Sequence, residues 1–250
     1  MSRNVLISGG TSGIGFATAA RFLQAGDSVV LLGRNEARGA KAIADLQVSN
    51  PTGKVFYLPA DIRHSKTCQR AVVKTIEKLD GLDILINSAG IYFEKTLEET
   101  TEIMYEAMMS TNVKGLYFLT QAAMPYLKES RGCVLNVASD AGVQGNYLCT
   151  AYCASKGAVV LFTRALALEV ARFGVRVNAI CPGDVLTPMT KKQIANAPSQ
   201  ELALKELASI YPLGRIGTPE EMAEVLFFLA SDKASFVTGS CWGIDGGLTA

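Results

Sequence analysis

The stretch Asn4-Val5-Leu6-Ile7-Ser8-Gly9-Gly10-Thr11-Ser12-Gly13-Ile14-Gly15 decides the fold. A short apolar run enters a glycine-rich turn, and apolar residues at helical spacing follow over Ile14–Ala25. Glycines there allow a tight turn and a close approach of backbone to a pyrophosphate. The pyrophosphate then sits on the helix N-terminus, where free N–H groups point outward. Gly9, Thr11, Ser12, Gly13, Ile14 and Gly15 are therefore candidate cofactor-binding residues. The spacing is G-x-x-x-G-x-G rather than G-x-G-x-x-G, and a glycine-rich loop alone also serves as a plain strand-to-helix turn. The strand before it and the helix after it favour the dinucleotide reading.

Working outward, the same unit recurs. Ser28–Leu32, Lys54–Leu58, Asp83–Ile86, Gly132–Ala138, Val175–Ile180 and Ser240–Ile244 read as strands. Glu36–Val48, Ser65–Leu79, Glu98–Glu129, Thr150–Phe173 and Pro219–Ala230 read as helices. The strands are continuously apolar rather than alternating, as expected when helices cover both faces of a parallel sheet. The expected fold is α/β: a doubly wound, Rossmann-type parallel sheet of about seven strands. Residues 1–250 read as one domain. Thr187–Leu213, with Pro188, Pro198, Pro212 and no clear strand, reads as a lid-like excursion.

Composition narrows the function. Of 250 residues, 49% are apolar and 19% charged, below the roughly 25% usual for soluble domains, a composition that builds a large core and argues against disorder. A net charge of +1 carries no footprint of a nucleic-acid binder. The single histidine, His64, excludes a two-histidine metal site, and no metal is expected. Six cysteines without a C-x-x-C pair read as reduced, mostly buried thiols. No apolar run reaches the ~18 residues of a membrane span, and the N-terminus lacks a signal-peptide core, so a cytoplasmic location is expected.

Two further positions bear on chemistry. The second strand ends in Gly33-Arg34 rather than in Asp or Glu. A guanidinium suits a ribose 2′-phosphate, so NADP(H) is expected over NAD(H), with Arg38 as a possible helper; the alternative is a solvated surface Arg34. Tyr152 and Lys156 stand four apart at the start of a helical segment and share one face. A nearby cation lowers a phenol pKa, so this pair is suited to exchanging a proton with an alcohol or ketone. Taken alone, such a pair is more often a surface coincidence. Its context is Ser139, which ends a strand thirteen residues earlier, at the sheet edge where α/β ligands bind, although a serine there also caps turns.

The order of these elements resembles the short-chain dehydrogenase/reductase superfamily over essentially the whole chain. The resemblance is carried by Gly9/Gly13/Gly15, Asp61-Ile62, Asn87-Ser88-Ala89-Gly90, Asn112, Ser139, Tyr152/Lys156, Pro182-Gly183 with Thr187, and Asp245-Gly246-Gly247. It implies that Tyr152 is the acid/base and that Ser139 steadies the reacting oxygen. Lys156 would bind the nicotinamide ribose and lower the Tyr152 pKa, and Asn112 would hold a water relaying protons from Lys156. Asp61 would accept from the adenine amino group, with Ile62 beside it. Asn87, Ala89 and Gly90 would line the cofactor, as would Pro182, Gly183 and Val185, and Thr187 would bond the carboxamide. Departures are Ser8 where Thr is usual, Ser88 where a second Asn is usual, and Ser130 and Phe173 where carrier-protein reductases of the family place arginines.

Gln144, Asn146 and Tyr147, in the loop before Tyr152, are candidate substrate contacts, with Tyr92 and Met189 behind them. Asp140 reads as a turn or cap more than a substrate contact. Small residues along Thr150–Phe173 (Ala151, Ala154, Ala158, Ala165) fit a helix-helix interface, and the resemblance implies a homotetramer. The expected function is an NADP(H)-linked alcohol dehydrogenase or ketone reductase acting on a small molecule. The rivals are a 3-oxoacyl-[acyl-carrier-protein] reductase and a non-catalytic nucleotide-sensing protein.

Overall fold

In the computed structural model, which describes residues 2–250, the apolar runs pair into one seven-stranded parallel sheet. The strands are β1 (Asn4–Ser8), β2 (Ser28–Gly33), β3 (Val55–Pro59), β4 (Ile84–Asn87), β5 (Cys133–Val137), β6 (Arg176–Pro182) and β7 (Cys241–Ile244). Their order is β3-β2-β1-β4-β5-β6-β7, so the direction of winding reverses beside β1. Ligands of such sheets bind outside the carboxyl ends of the strands at this reversal. The register brings those ends level: Ser8 lies opposite both Leu32 and Asn87, and Asn87 opposite Asn136.

The connecting helices are α1 (Gly13–Gln24), α2 (Glu36–Ser49), α3 (Ser65–Leu79), α4 (Glu102–Met109), α5 (Leu116–Ser130), α6 (Thr150–Val170), α7 (Pro188–Gln193), α8 (Gln200–Ser209) and α9 (Pro219–Leu229). Successive strand residues point to opposite faces. Val5, Ile7, Val29, Leu31 and Ile86 therefore pack with Phe22 of α1, Leu46 of α2 and Leu226 of α9. Leu6, Val30, Leu85 and Val134 pack with Val72 of α3, Leu119 of α5 and Ala167 of α6. Arg3 fastens the first layer: it pairs with buried Asp27 at 2.6 Å and lies 5.1 and 4.9 Å from the Phe22 and Phe227 ring centres.

The expected helix over 98–129 is α4 and α5 joined by a π-helical turn, Ser110–Gly115, which holds Asn112. Extra residues of this kind inside a helix re-aim side chains and often mark functional positions. The 187–213 excursion contains α7 and α8, capped by Thr187 and Ser199, whose hydroxyls accept from the backbone N–H groups of Thr190 and Leu202. Its prolines hid this helicity in the sequence, because Pro188 sits at the first helical position, where its missing N–H costs nothing. All six cysteines are free thiols, four of them buried. Among the described residues no helix is long and apolar enough to cross a membrane.

Candidate active site

A cavity of about 600 Å³ opens at the carboxyl ends of the strands. The glycine loop forms one wall. Gly9 has a φ of +69°, and a Cβ there would meet the Ala89 backbone at 2.8 Å, so the loop lies directly on the turn after β4. A Cβ on Gly15 would come within 2.5 Å of the Gly9 carbonyl oxygen, so the start of α1 tolerates no side chain against the loop. Gly13 rests against the Thr187 side chain, which joins the loops after β1 and β6.

Beyond the glycines, the same wall holds Thr11, Ser12, Ile14, Arg34, Arg38, Asp61, Ile62, Ala89 and Gly90. Arg34 and Arg38 are exposed and take part in no ion pair among the described residues. Asp61 is already engaged. Arg63, which the sequence reading passed over, forks onto its carboxylate at 2.6–3.0 Å and holds it below its ordinary pKa. An adenine amino group would thus share Asp61 with Arg63 rather than meet a free carboxylate.

The opposite wall carries Ser139, Tyr152 and Lys156, with Pro182, Gly183, Val185, Thr187, Gln144, Asn146 and Tyr147. Tyr152 and Lys156 share one face of α6, with the Lys156 ammonium 5.6 Å from the phenol ring centre. Lys156 is only 6% exposed, its Nζ donates to the Val137 carbonyl at 2.8 Å, and burial lowers its pKa to about 8. Burial also dominates at Tyr152 and pushes the phenol well above its ordinary pKa. The Ser139 hydroxyl pulls it down, and the Asp140, Cys149 and Asp184 charges push it further up. Lys156 is not among the groups that set the phenol's titration in the chain by itself, and burial is the largest of those that do. The Tyr92 ring stands edge-on to the Tyr152 ring at 4.8 Å.

Three expected residues lie behind the walls. Gly15 packs as described. Asn87 is buried and donates to Thr120 Oγ1 at 3.0 Å and Asn136 Oδ1 at 2.9 Å, and Asn136 donates in turn to Thr163 at 2.8 Å. This polar thread ties α5, β4, β5 and α6 together beneath the site. Asn112 is directed at the backbone of Ile91, accepting from its N–H at 2.9 Å and donating to its carbonyl at 3.0 Å, and it also donates to Ser155 at 3.1 Å. It clamps the loop after β4 to α6, and its oxygen and the Lys156 ammonium lie 3.5 and 3.8 Å from where a Gly90 Cβ would stand.

The structure also brings in groups the sequence reading left as caps or loop positions. Asp140 accepts from Ser139, Gln144 and Asn146. Asp184 lies at hydrogen-bond distance from the Tyr211 hydroxyl, 2.7 Å. Glu94 accepts from Tyr92 and from Gln193 of α7. The one available signal was adjacency, since Asp140 follows Ser139 and Asp184 follows Pro182-Gly183.

A family model described as enoyl-(acyl carrier protein) reductase matches residues 9–249. The chain is 36% identical over 248 residues to 2-(S)-hydroxypropyl-CoM dehydrogenase 3 of Xanthobacter autotrophicus, covering 98% of this chain and 96% of that one. It is 39% identical over 244 residues to the 3-oxoacyl-[acyl-carrier-protein] reductase FabG of Thermotoga maritima, covering 97% and 96%. The solved structure of ElxO with NADP bound superposes with a TM-score of 0.91 at 31% identity, covering 99% of each chain.

Proposed function

The chain belongs to the short-chain dehydrogenase/reductase family and is an oxidoreductase, and on that premise we propose that it transfers a hydride between NADP(H) and a carbonyl or secondary alcohol. The observation that carries this reading is the convergence of Ser139, Tyr152 and Lys156 on the wall of the cavity whose other wall is the glycine loop. A bound nicotinamide supplies or accepts the hydride. The loop N–H groups at the start of α1 would hold the pyrophosphate. The exposed, unpaired Arg34 and Arg38 support a 2′-phosphate.

Tyr152 donates its phenolic proton to the carbonyl oxygen in reduction and takes it back in oxidation. Ser139 stands beside that oxygen. Lys156 keeps a positive charge behind the phenol, and Asn112, fixed on Ile91 and Ser155, would also hold the water that relays protons from Lys156. Phe173 lies between Lys128 at 4.0 Å and Arg172 at 4.8 Å. These cations and the Thermotoga relative support a second reading, reduction of an acyl-carrier thioester. The protein is taken to work as one unit over residues 1–250 with α7–α8 as a lid, in the cytoplasm, as a homotetramer; its free thiols and small-residue face on α6 support this.

The test is a panel of secondary alcohols, polyols, sugars, ketones and an acetoacetyl thioester followed by NADPH fluorescence, with Tyr152→Phe alongside. Turnover by the parent and at least about a hundredfold loss in the variant, with NADPH binding kept, is expected. Equal turnover by both proteins would refute the role of Tyr152. No turnover by the parent with any member would refute the function.

A further inference from the structure

We propose that Asp140 is a specificity-determining residue, selecting substrates that carry a hydrogen-bond donor beside the reacting carbon, an ammonium above all, and rejecting carboxylates. The inference rests on the oxidoreductase reading of the cavity and names the substrate class that cavity takes.

Asp140 directly follows Ser139, lines the cavity, and is only 7% exposed. Its Oδ1 accepts from Ser139 Oγ at 2.7 Å, and its Oδ2 accepts from Asn146 at 2.9 Å and Gln144 at 3.4 Å. All three donors are neutral, and Asp140 forms no ion pair among the described residues. A buried carboxylate without a counter-ion is costly, and folds otherwise pair such groups. Here the unmet charge faces a cavity, beside the serine that meets the reacting oxygen.

The surrounding charges reinforce it. Asp184 lines the same end, bonded to the Tyr211 hydroxyl and to no cation. Glu94 is held by Tyr92 and Gln193, both neutral. Three of the four cations of the cavity wall lie elsewhere, and the fourth, Lys156, stands behind the Tyr152 phenol. Arg34, Arg38 and Arg63 stand with Asp61 at the ends of β2 and β3, and Lys156 is engaged by the Val137 carbonyl. A protonated amine or a second hydroxyl next to the carbinol would meet an acceptor here, whereas a carboxylate would meet like charge.

The test uses the NADP-loaded protein and the alcohol of the panel with the highest kcat/KM. Three small molecules of one skeleton, 1-amino-2-propanol, 1,2-propanediol and lactate, are measured as competitive inhibitors at neutral pH. The amine is expected to bind tightest and lactate weakest, at least about tenfold apart, the low end of a charge-assisted hydrogen bond. Asp140→Asn is expected to shrink that gap severalfold with NADPH binding unchanged. Lactate binding as tightly as the amine to the parent would overturn the proposal, and this comparison decides even where the variant does not fold. An undiminished gap in a folded Asp140→Asn would also overturn it. A panel without any turnover would instead count against the oxidoreductase reading itself.

Discussion

Replacing Lys156 by Met is expected to stabilise the fold while removing the activity. Burial lowers the Lys156 pKa from 10.5 to about 8. At about 1.4 kcal/mol per pH unit, the ammonium is about 3 kcal/mol less comfortable in the fold than in the unfolded chain. Methionine fills a similar volume without charge, but it leaves the Val137 carbonyl without its donor, which costs about 1–3 kcal/mol. The net expectation at pH 7 is a gain of up to about 2 kcal/mol, or a rise in Tm of about 2–8 °C for a chain this long. The sign of the pH dependence follows from the lowered pKa. Below pH 8 both states of the parent hold the proton and the full penalty applies. Between pH 8 and 10.5 the folded state sheds it while the unfolded state keeps it, so the parent gains stability as pH rises and the advantage of the variant fades. Calorimetry of both proteins without cofactor at pH 7 and pH 10, with NADPH turnover beside it, reads all three effects. A Lys156→Met protein less stable than the parent at pH 7, or a difference that does not change with pH, would refute the assignment of a buried, desolvated ammonium.

Arg34→Ala is expected to raise the KM for NADPH at least about tenfold, the loss of a charged hydrogen bond, and to leave the KM for NADH nearly unchanged; a parent protein that prefers NADH would contradict the assignment. Asn112→Ala leaves the Ile91 N–H and carbonyl without their shared partner and is expected to cost about 2 kcal/mol, a fall in Tm of about 4–8 °C, together with weaker cofactor binding through the displaced Ser88–Gly90 turn. An unchanged Tm would show that the clamp carries no load.

The strand ends were legible because the strands are largely apolar runs, interrupted by a buried Asn only in β5 and β6, each closed by a small or polar residue, whereas the strand order came from the structure. The glycine loop, Ser139 and the Tyr152/Lys156 pair were legible because their spacing is local: strand to turn to helix, or one helical turn. What escaped depends on contacts through space. Asn112 acts on Ile91, on another element, and the π-helical turn that aims it has no marker in a sequence that is helical on both sides. Arg63 is adjacent in sequence to the candidate Asp61-Ile62, yet only the fold bends its guanidinium back onto Asp61. The i, i+4 spacing at Tyr152 shows that Lys156 is near, but not that Lys156 is buried and Tyr152 half-buried, nor that Asp140 and Asp184 lie close enough to push the phenol further up.

Where the buried charges lie distinguishes scaffold from site. Asp27 is buried and is met by Arg3 at 2.6 Å, with the guanidinium resting on two aromatic rings that join α1 and α9. That pair is closed, and the guanidinium's remaining nitrogen donates to the Ala230 carbonyl at 3.2 Å. Lys156 and Asp140 are as deeply buried and have opposite charge, yet each is bonded only to neutral groups, a backbone carbonyl for one and a hydroxyl and two amides for the other. Had they paired, each charge would be offset by the other and the cavity would lose both of its polarising groups. Neutral partners fix the position of each charge without cancelling its field. The field is then available to the reacting oxygen and to whatever the substrate carries beside it. The stability forgone at Lys156, whose ammonium burial disfavours, is thus tied to an atom that gives the cavity its chemistry, and a variant that recovers stability there should lose function in the same step.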